Sequence, residues 1–181
     1  MKADIRAEIV KRPPIGVVGL GIMGSAMAGN LMKAGFQVLG YDVLASRRRQ
    51  HRQAGGLVAA SVAGVARRAD IVVCSLPSSA ALLRVAGEVA AAPGRQPVVI
   101  ETSTLPIAAK EQARDQLAAR GSILLDCPLS GTGAQAKTRD LVVFASGDRA
   151  ACRRVASTSS RSSKRGRASP MRGPSLPPAR G

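Results

Sequence analysis

The 181 residues carry 27 lysines and arginines against 11 acidic residues, a formal net charge of +16, with only 2% aromatic residues. A chain of this length buries one sizeable core but hardly two. No apolar stretch is long and uninterrupted enough to span a bilayer, so no membrane partner is expected and the cytoplasm is the default location.

Residues 1–14, MKADIRAEIVKRPP, alternate charges with single apolar residues and lack the apolar centre of a secretory signal; they read as an N-terminal extension. Ile15, Val17 and Val18 then form a short apolar run that predicts the first buried strand of a parallel sheet. The run ends in Gly19-Leu20-Gly21-Ile22-Met23-Gly24, a G-x-G-x-x-G. Met23, Met27 and Leu31 follow at helical spacing, and Gly35 stands where a helix end tolerates a left-handed residue. In a dinucleotide fingerprint Gly19 permits the tight turn, Gly21 lets a pyrophosphate approach the backbone, and Gly24 lets the helix lie close on the strand. The pyrophosphate would rest on unpaired N–H groups at the positive end of that helix. A lone fingerprint is weak evidence, and glycines that serve packing alone are the alternative. Here the strand before and the helix after supply the required context.

Residues 37–42 predict the second strand, ending in Asp42 about 20 residues beyond the fingerprint, where a carboxylate accepts hydrogen bonds from an adenosine ribose. Residues 45–54, ASRRRQHRQA, predict a solvated second helix. Arg47, Arg48 and Arg49 raise the possibility of a 2′-phosphate partner, hence NADP, whereas Asp42 would repel that group. Asp42 sits at the strand tip and is weighted more heavily, so the expected cofactor is NAD or NADP with NAD favoured. His51, the single histidine, is expected on the surface and not as a catalytic base.

Residues 57–60 predict a short strand, with Ser61 as the N-cap of the next helix. Residues 70–76, DIVVCSL, form a clear buried strand, which Pro77-Ser78-Ser79 breaks before a helix running to about residue 86. Residues 97–101 make the next strand, followed by Thr102-Ser103-Thr104, and Pro106 opens a helix to about residue 120. Residues 122–126 make another strand, 127–133 a loop, and 141–144 the last strand. Six or seven short strands alternating with helices predict an α/β fold of the Rossmann type, a doubly wound, mostly parallel sheet with helices on both faces, over residues 15–155. Cys74, Cys127 and Cys152 are odd in number and form no C-x-x-C, so neither a disulfide framework nor a metal site is expected. Cys74, within an apolar strand, reads as a buried inert thiol.

Beyond residue 155 the composition changes abruptly. Serine, arginine, glycine and proline dominate residues 156–181, which predicts a disordered basic tail unable to offset the entropy of ordering. Residues 153–181 hold eight of the basic residues and no acid, about half of the excess charge. A basic tail can contact nucleic acid through phosphate charge, but it has no aromatic residue for base stacking, so a nucleic-acid partner is not favoured.

Taken together, GLGIMGSAMAGNLMKAG, Leu76-Pro77, Glu101-Thr102-Ser103-Thr104 and Asp126-Cys127-Pro128-Leu129-Ser130-Gly131 resemble the β-hydroxyacid dehydrogenases, which include the 3-hydroxyisobutyrate, tartronate semialdehyde and threonate enzymes. The resemblance covers roughly residues 15–154 and implies NAD(P)-dependent oxidation of a small 3-hydroxy acid. It implies that Gly19, Leu20, Gly21, Ile22, Met23 and Gly24 cradle the dinucleotide and that Asp42 holds the adenosine ribose. Leu76 and Pro77 would line the cofactor path, Thr104 would meet the nicotinamide end, and Ser130 and Gly131 would bind the substrate carboxylate.

The chain departs from the family pattern at several positions. Thr132 stands where a second glycine of the substrate loop is common, Arg139 replaces a later glycine, and Ala81 replaces an asparagine. The family continues into a helical second domain whose first long helix supplies a catalytic lysine, with an asparagine one turn later. No lysine here has those surroundings: Lys33, Lys110 and Lys137 match no catalytic position, and Asn30 is the only asparagine. No catalytic residue is therefore assigned. A shifted reading frame after residue 155 is the expected origin of the tail, with a native basic tail as the alternative. The reading is thus a dinucleotide-binding domain weakly active or inactive alone, or a non-catalytic binding module, with an exposed docking face that favours self-association or aggregation.

Overall fold

The computed structural model describes residues 13–163. Strand β1 (Ile15–Val18) leads into helix α1 (Ile22–Lys33), and β2 (Val38–Tyr41) leads into α2 (Ala45–Gln53). The two-residue strand β3 (Leu57–Val58) is followed by α3 (Val62–Ala66), capped by Ser61, whose hydroxyl accepts from Gly64 N–H as expected. Next come β4 (Ile71–Cys74), α4 (Ser79–Ala91), β5 (Val98–Glu101), α5 (Ile107–Ala118) and β6 (Ile123–Asp126). Helix α4 runs five residues past its predicted end because Val85, Ala86 and Val89 continue its buried stripe.

Six parallel strands pair in the order β3-β2-β1-β4-β5-β6. The order reverses between β1 and β4, so the crevice at that switch point opens beyond their carboxyl ends. The register brings those ends level: Val18 pairs with Tyr41 and Cys74, Cys74 with Glu101, and Glu101 with Asp126. Alternating side chains feed two layers. Val72 and Cys74 join Leu82, Val85, Leu117 and Val65 on one face, while Ile71 and Val73 join Ile15, Val17, Ala28 and Val38 on the other. Near-continuous burial of such strands is the mark of a parallel sheet covered on both sides.

Two expectations require correction. The predicted last strand is only β8 (Val142–Val143), and it does not extend the main sheet. It pairs antiparallel with β7 (Leu129–Ser130) in a separate two-stranded sheet on either side of α6 (Gly133–Thr138). A short loop and a six-residue helix bring these segments together as a hairpin, a geometry that cannot deliver a parallel crossover. Second, helix α7 (Arg149–Ser163) passes the predicted boundary at residue 155, so residues 156–163 are helical where a disordered tail was expected. Ala151 and Val155 anchor this helix on the sheet, and propagation from that anchor carries it into polar sequence, where the hydroxyls of Ser157 and Thr158 donate to Arg154 O. The remainder of the predicted tail, residues 164–181, and most of the N-terminal extension lie outside the described residues.

Candidate functional site

The three fingerprint glycines are separated by what a side chain would meet. Gly19 has φ +89°, and a Cβ there would lie 2.1 Å from Ser75 O, so this position needs glycine for both conformation and space. At Gly24 a Cβ would lie 1.8 Å from Gly19 O, which ties α1 tightly to the loop. At Gly21 the nearest atom is Arg47 Nη1 at 3.8 Å. Among the described residues no atom comes closer than Arg47 to the space above Gly21, the N-cap of α1, which has no side-chain cap. The first-turn N–H groups of α1 have no intrahelical acceptors and face that opening. An anion fits such a position, and a Cβ on Gly21 would intrude on it.

A cleft of about 600 Å³ lies over this loop. Gly19, Gly21, Ile22, Met23, Asp42, Leu76 and Pro77, all expected at a cofactor site, line it together. Leu20 and Gly24 sit behind the surface, Leu20 in the core and Gly24 under the turn. Thr104, Ser130 and Gly131 are exposed and lie outside the cleft lining. Gly131 has φ +141°, and Leu141 crowds the position a side chain would take. Ala81 lines the wall, as do Arg84 and Glu88 of α4, which sequence reading did not single out. The i, i+4 spacing of those two charges on an otherwise apolar helix was their only signal.

Asp42 is buried, and its carboxylate already has protein partners. Oδ2 accepts from Leu20 N–H at 2.7 Å and Oδ1 from Leu44 N–H at 2.9 Å. Arg47 Nη1 lies 3.3 Å from Oδ2, and that guanidinium is 43% exposed at the cleft rim. Asp42 thus clamps the glycine loop to the end of β2 while keeping one edge on the cleft. Arg48 donates to Asp42 O and lies over the Tyr41 ring, 5.8 Å from its centroid.

His51 is corrected from a surface residue to a buried one. Helix α2 lays its ring between Gly40 and Gly56, where a Cβ would come within 2.6 Å and 2.1 Å of the imidazole. Burial holds its pKa below the ordinary histidine value despite hydrogen bonds to the Val38 and Leu57 backbone. The glycine at position 40, inside a strand, was the signal for this close approach. Cys74 is buried as expected, and burial together with the Glu101 charge pushes its thiol far above the ordinary range. Cys127 is raised too, chiefly by burial, so neither thiol is poised as a nucleophile.

The substrate-loop departure at Thr132 has a local role. Its hydroxyl accepts from Gln135 N–H, and Gln135 Oε1 accepts from Thr132 N–H, forming a capping box on α6. Arg139, at the other end of that helix, adopts φ 64°. It is the one non-glycine residue at positive φ among the described residues. Among the described residues no group of histidine, cysteine and acidic side chains could hold a metal ion. No described helix is long and apolar enough to cross a membrane.

Known proteins share this arrangement. The model of the NAD-binding domain of 6-phosphogluconate dehydrogenase matches residues 14–165. The chain is 30% identical over 142 residues to mitochondrial 3-hydroxyisobutyrate dehydrogenase of Rattus norvegicus, covering 77% of this chain and 42% of that protein. It is 35% identical over 136 residues to L-threonate dehydrogenase of Cupriavidus necator, covering 74% and 46%. The Mycobacterium tuberculosis 3-hydroxyisobutyrate dehydrogenase determined with L-serine superposes with a TM-score of 0.75 at 29% identity, over 79% of this chain and 49% of that one. This chain therefore spans less than half the length of these curated relatives. A fingerprint whose first and third glycines the local packing demands, a cleft at the switch point and the match over residues 14–165 lead to one assignment: the chain belongs to the NAD-binding-domain family of 6-phosphogluconate dehydrogenase, alongside the hydroxyacid dehydrogenases.

Proposed function

We propose that this chain binds a nicotinamide dinucleotide through the α1 N-terminus and supplies the cofactor half of a 3-hydroxyacid dehydrogenase. The observation that carries the reading is the contrast at the fingerprint: Gly19 and Gly24 are filled around by protein, whereas the space over Gly21 opens into the cleft. The bound nicotinamide would exchange a hydride with the carbinol carbon of the substrate. The chain's own contributions are to seat the pyrophosphate on the first-turn N–H groups and to wall the cleft with Leu76 and Pro77. Thr104 would meet the nicotinamide end, and Ser130 with Gly131 would offer hydroxyl and N–H donors to a carboxylate. L-serine, in the structure of the similar mycobacterial enzyme, is itself a 3-hydroxy acid.

Turnover by this chain is expected to be low. Among the described residues no lysine lines the cleft, and Lys110 is committed to an ion-pair network. Lacking a group to take the hydroxyl proton forfeits about 10²–10⁴-fold in rate. NAD is the favoured cofactor, because Asp42 presents a carboxylate edge at the cleft where a ribose hydroxyl would donate. A second reading has its own observation: Arg47 neutralises that carboxylate and stays partly exposed, which suits a 2′-phosphate. Self-association through an apolar groove of about 690 Å³ between α1 and the β7–β8 hairpin completes the proposal, and sedimentation over a concentration series checks it.

Calorimetric titration with NADH and NADPH tests the cofactor reading. Gly21→Ala is expected to weaken binding at least about tenfold by crowding the anion position, with the melting temperature nearly unchanged because no protein atom opposes that Cβ. Unaltered affinity in the variant overturns the site. Tighter binding of NADPH than NADH, lost in Arg47→Ala, decides for the second reading.

A further inference from the structure

Glu101 and Asp126 end neighbouring strands at paired positions, so their side chains emerge on the same face of the sheet. Lys110 rises from α5 between them. Its ammonium lies 3.1 Å from Glu101 Oε2 and also pairs with Asp126 Oδ1. Glu101 is fully buried and Lys110 nearly so. Burial alone would lower the lysine pKa, but the hydrogen bonds and charges of Asp126 and Glu101 outweigh it and hold the ammonium above its ordinary value. Neutralising two carboxylates would account for these contacts alone.

The remaining contacts run toward the site. Lys110 Nζ donates to Ser103 O at 2.8 Å, and Ser103 N–H donates to Glu101 Oε1 at 2.8 Å. The Ser103 hydroxyl accepts from Leu76 N–H at 2.8 Å, reaching the cleft wall at the end of β4. Beside it, the Thr102 hydroxyl donates to Cys74 O at 2.7 Å. Asp126 opens the segment that carries Ser130 and Gly131. One ammonium thus fixes the turn at residues 102–104, the cleft wall at Leu76 and the start of the loop at 127–131. The β5–β6 register ends at Glu101 and Asp126, the last backbone bonds there run from Thr102 N–H to Cys74 O and from Cys127 N–H to Glu101 O, and Ser103 N–H turns instead to the Glu101 side chain. A hydrophobic residue at position 110 would pack between the strands but offer no donor to Ser103 O.

We propose that Lys110 is a positioning residue for the nicotinamide half of the site, holding the 102–104 turn against Leu76 through Ser103 and Glu101. The inference rests on the dinucleotide reading given above. The glycine loop and Asp42, to which the adenylate is assigned, hold their own contacts to Leu20 and Leu44 and make none with Lys110, Ser103 or Glu101. The test is calorimetry on the full chain with NADH and with ADP-ribose, which carries the adenylate and pyrophosphate without nicotinamide. Lys110→Met leaves the Glu101 carboxylate buried and unpaired and is expected to destabilise the fold strongly. Lys110→Met with Glu101→Gln removes that orphan charge and recovers most of the melting temperature. In this double variant NADH affinity is expected to fall about tenfold, the loss of one charged hydrogen bond, while ADP-ribose affinity stays at the wild-type value. Ser103→Ala, which spares the ion pairs, is expected to show the same split in smaller measure and serves if the double variant does not fold. Wild-type NADH affinity in whichever of these variants folds, or equal losses for both ligands, overturns the positioning role. A wild-type chain that binds neither ligand overturns the dinucleotide reading, and this inference with it.

Discussion

Single residues in this protein differ sharply in what they owe to their neighbours. Arg139 occupies left-handed backbone at the C-cap of α6, a conformation that strains any residue bearing a Cβ. Arg139→Gly is expected to raise stability by about 1 kcal/mol, read as a higher urea midpoint with unchanged slope. An equal or lower midpoint would mean that contacts of the arginine side chain offset the strain. His51 makes a pH prediction. Its folded pKa lies below the unfolded value, so the unfolded chain binds the proton first and stability falls as pH drops below about 6.5. Above that value the contribution is fully present. Urea unfolding at pH 7.5 and 5.5 should show a smaller acid loss in His51→Gln than in the wild type. Identical losses would show that the imidazole does not titrate across this window.

At the scale of elements, α6 is held to the domain by little besides α1. Asn30 Nδ2 donates to Ala136 O at 2.7 Å, a contact spanning more than a hundred residues, and Gly133 comes so close to Ile22 that a Cβ would meet its Cγ2 at 2.4 Å. The fingerprint helix therefore carries the Ser130–Gly131 segment as well as the cofactor loop. Asn30→Ala leaves the Ala136 carbonyl without this donor and is expected to cost about 1 kcal/mol. Hydrogen exchange should quicken over residues 133–143 while the β1 and β4 amides stay protected. Uniform acceleration across the sheet would place the bond in the global core instead.

For the whole molecule, α7 carries the packing of the described domain past residue 155. Ala151 and Val155 pack on the sheet, and Ser157 and Thr158 help line a cavity of about 340 Å³ with Pro13, Pro14, Phe36 and Asp70. A chain ending at residue 163 is expected to keep the full-length melting temperature and the same thermal shift with NADH. One ending at residue 155 should melt lower, by about 2–4 °C for each kcal/mol that the last helical turns contribute. No difference between the two would return the boundary to residue 155. The apolar groove floored by Val73 and Ile100 is independent of this end and remains in both chains.

Much of this was legible in the amino-acid order alone. Buried strands of a parallel sheet announce themselves as apolar runs, and the glycine spacing at 19, 21 and 24 names a tight turn packed on its helix, with the middle glycine left open above it. Asp42 followed from its distance along the chain, and the Ser61 cap from local hydrogen-bond chemistry. These are short-range constraints, and sequence records them directly. Other features depended on which distant segments meet. His51 looked solvated among arginines until α2 laid it against Gly40, and Lys110 had no role in the sequence reading until two strand ends placed carboxylates on either side of it. The pairing of Leu129–Ser130 with Val142–Val143, and the extension of α7 into serine-rich sequence, likewise came from packing that overrode local propensity. Periodicity tells a residue which face it occupies, but only the tertiary structure decides what charge, cavity or backbone waits on that face.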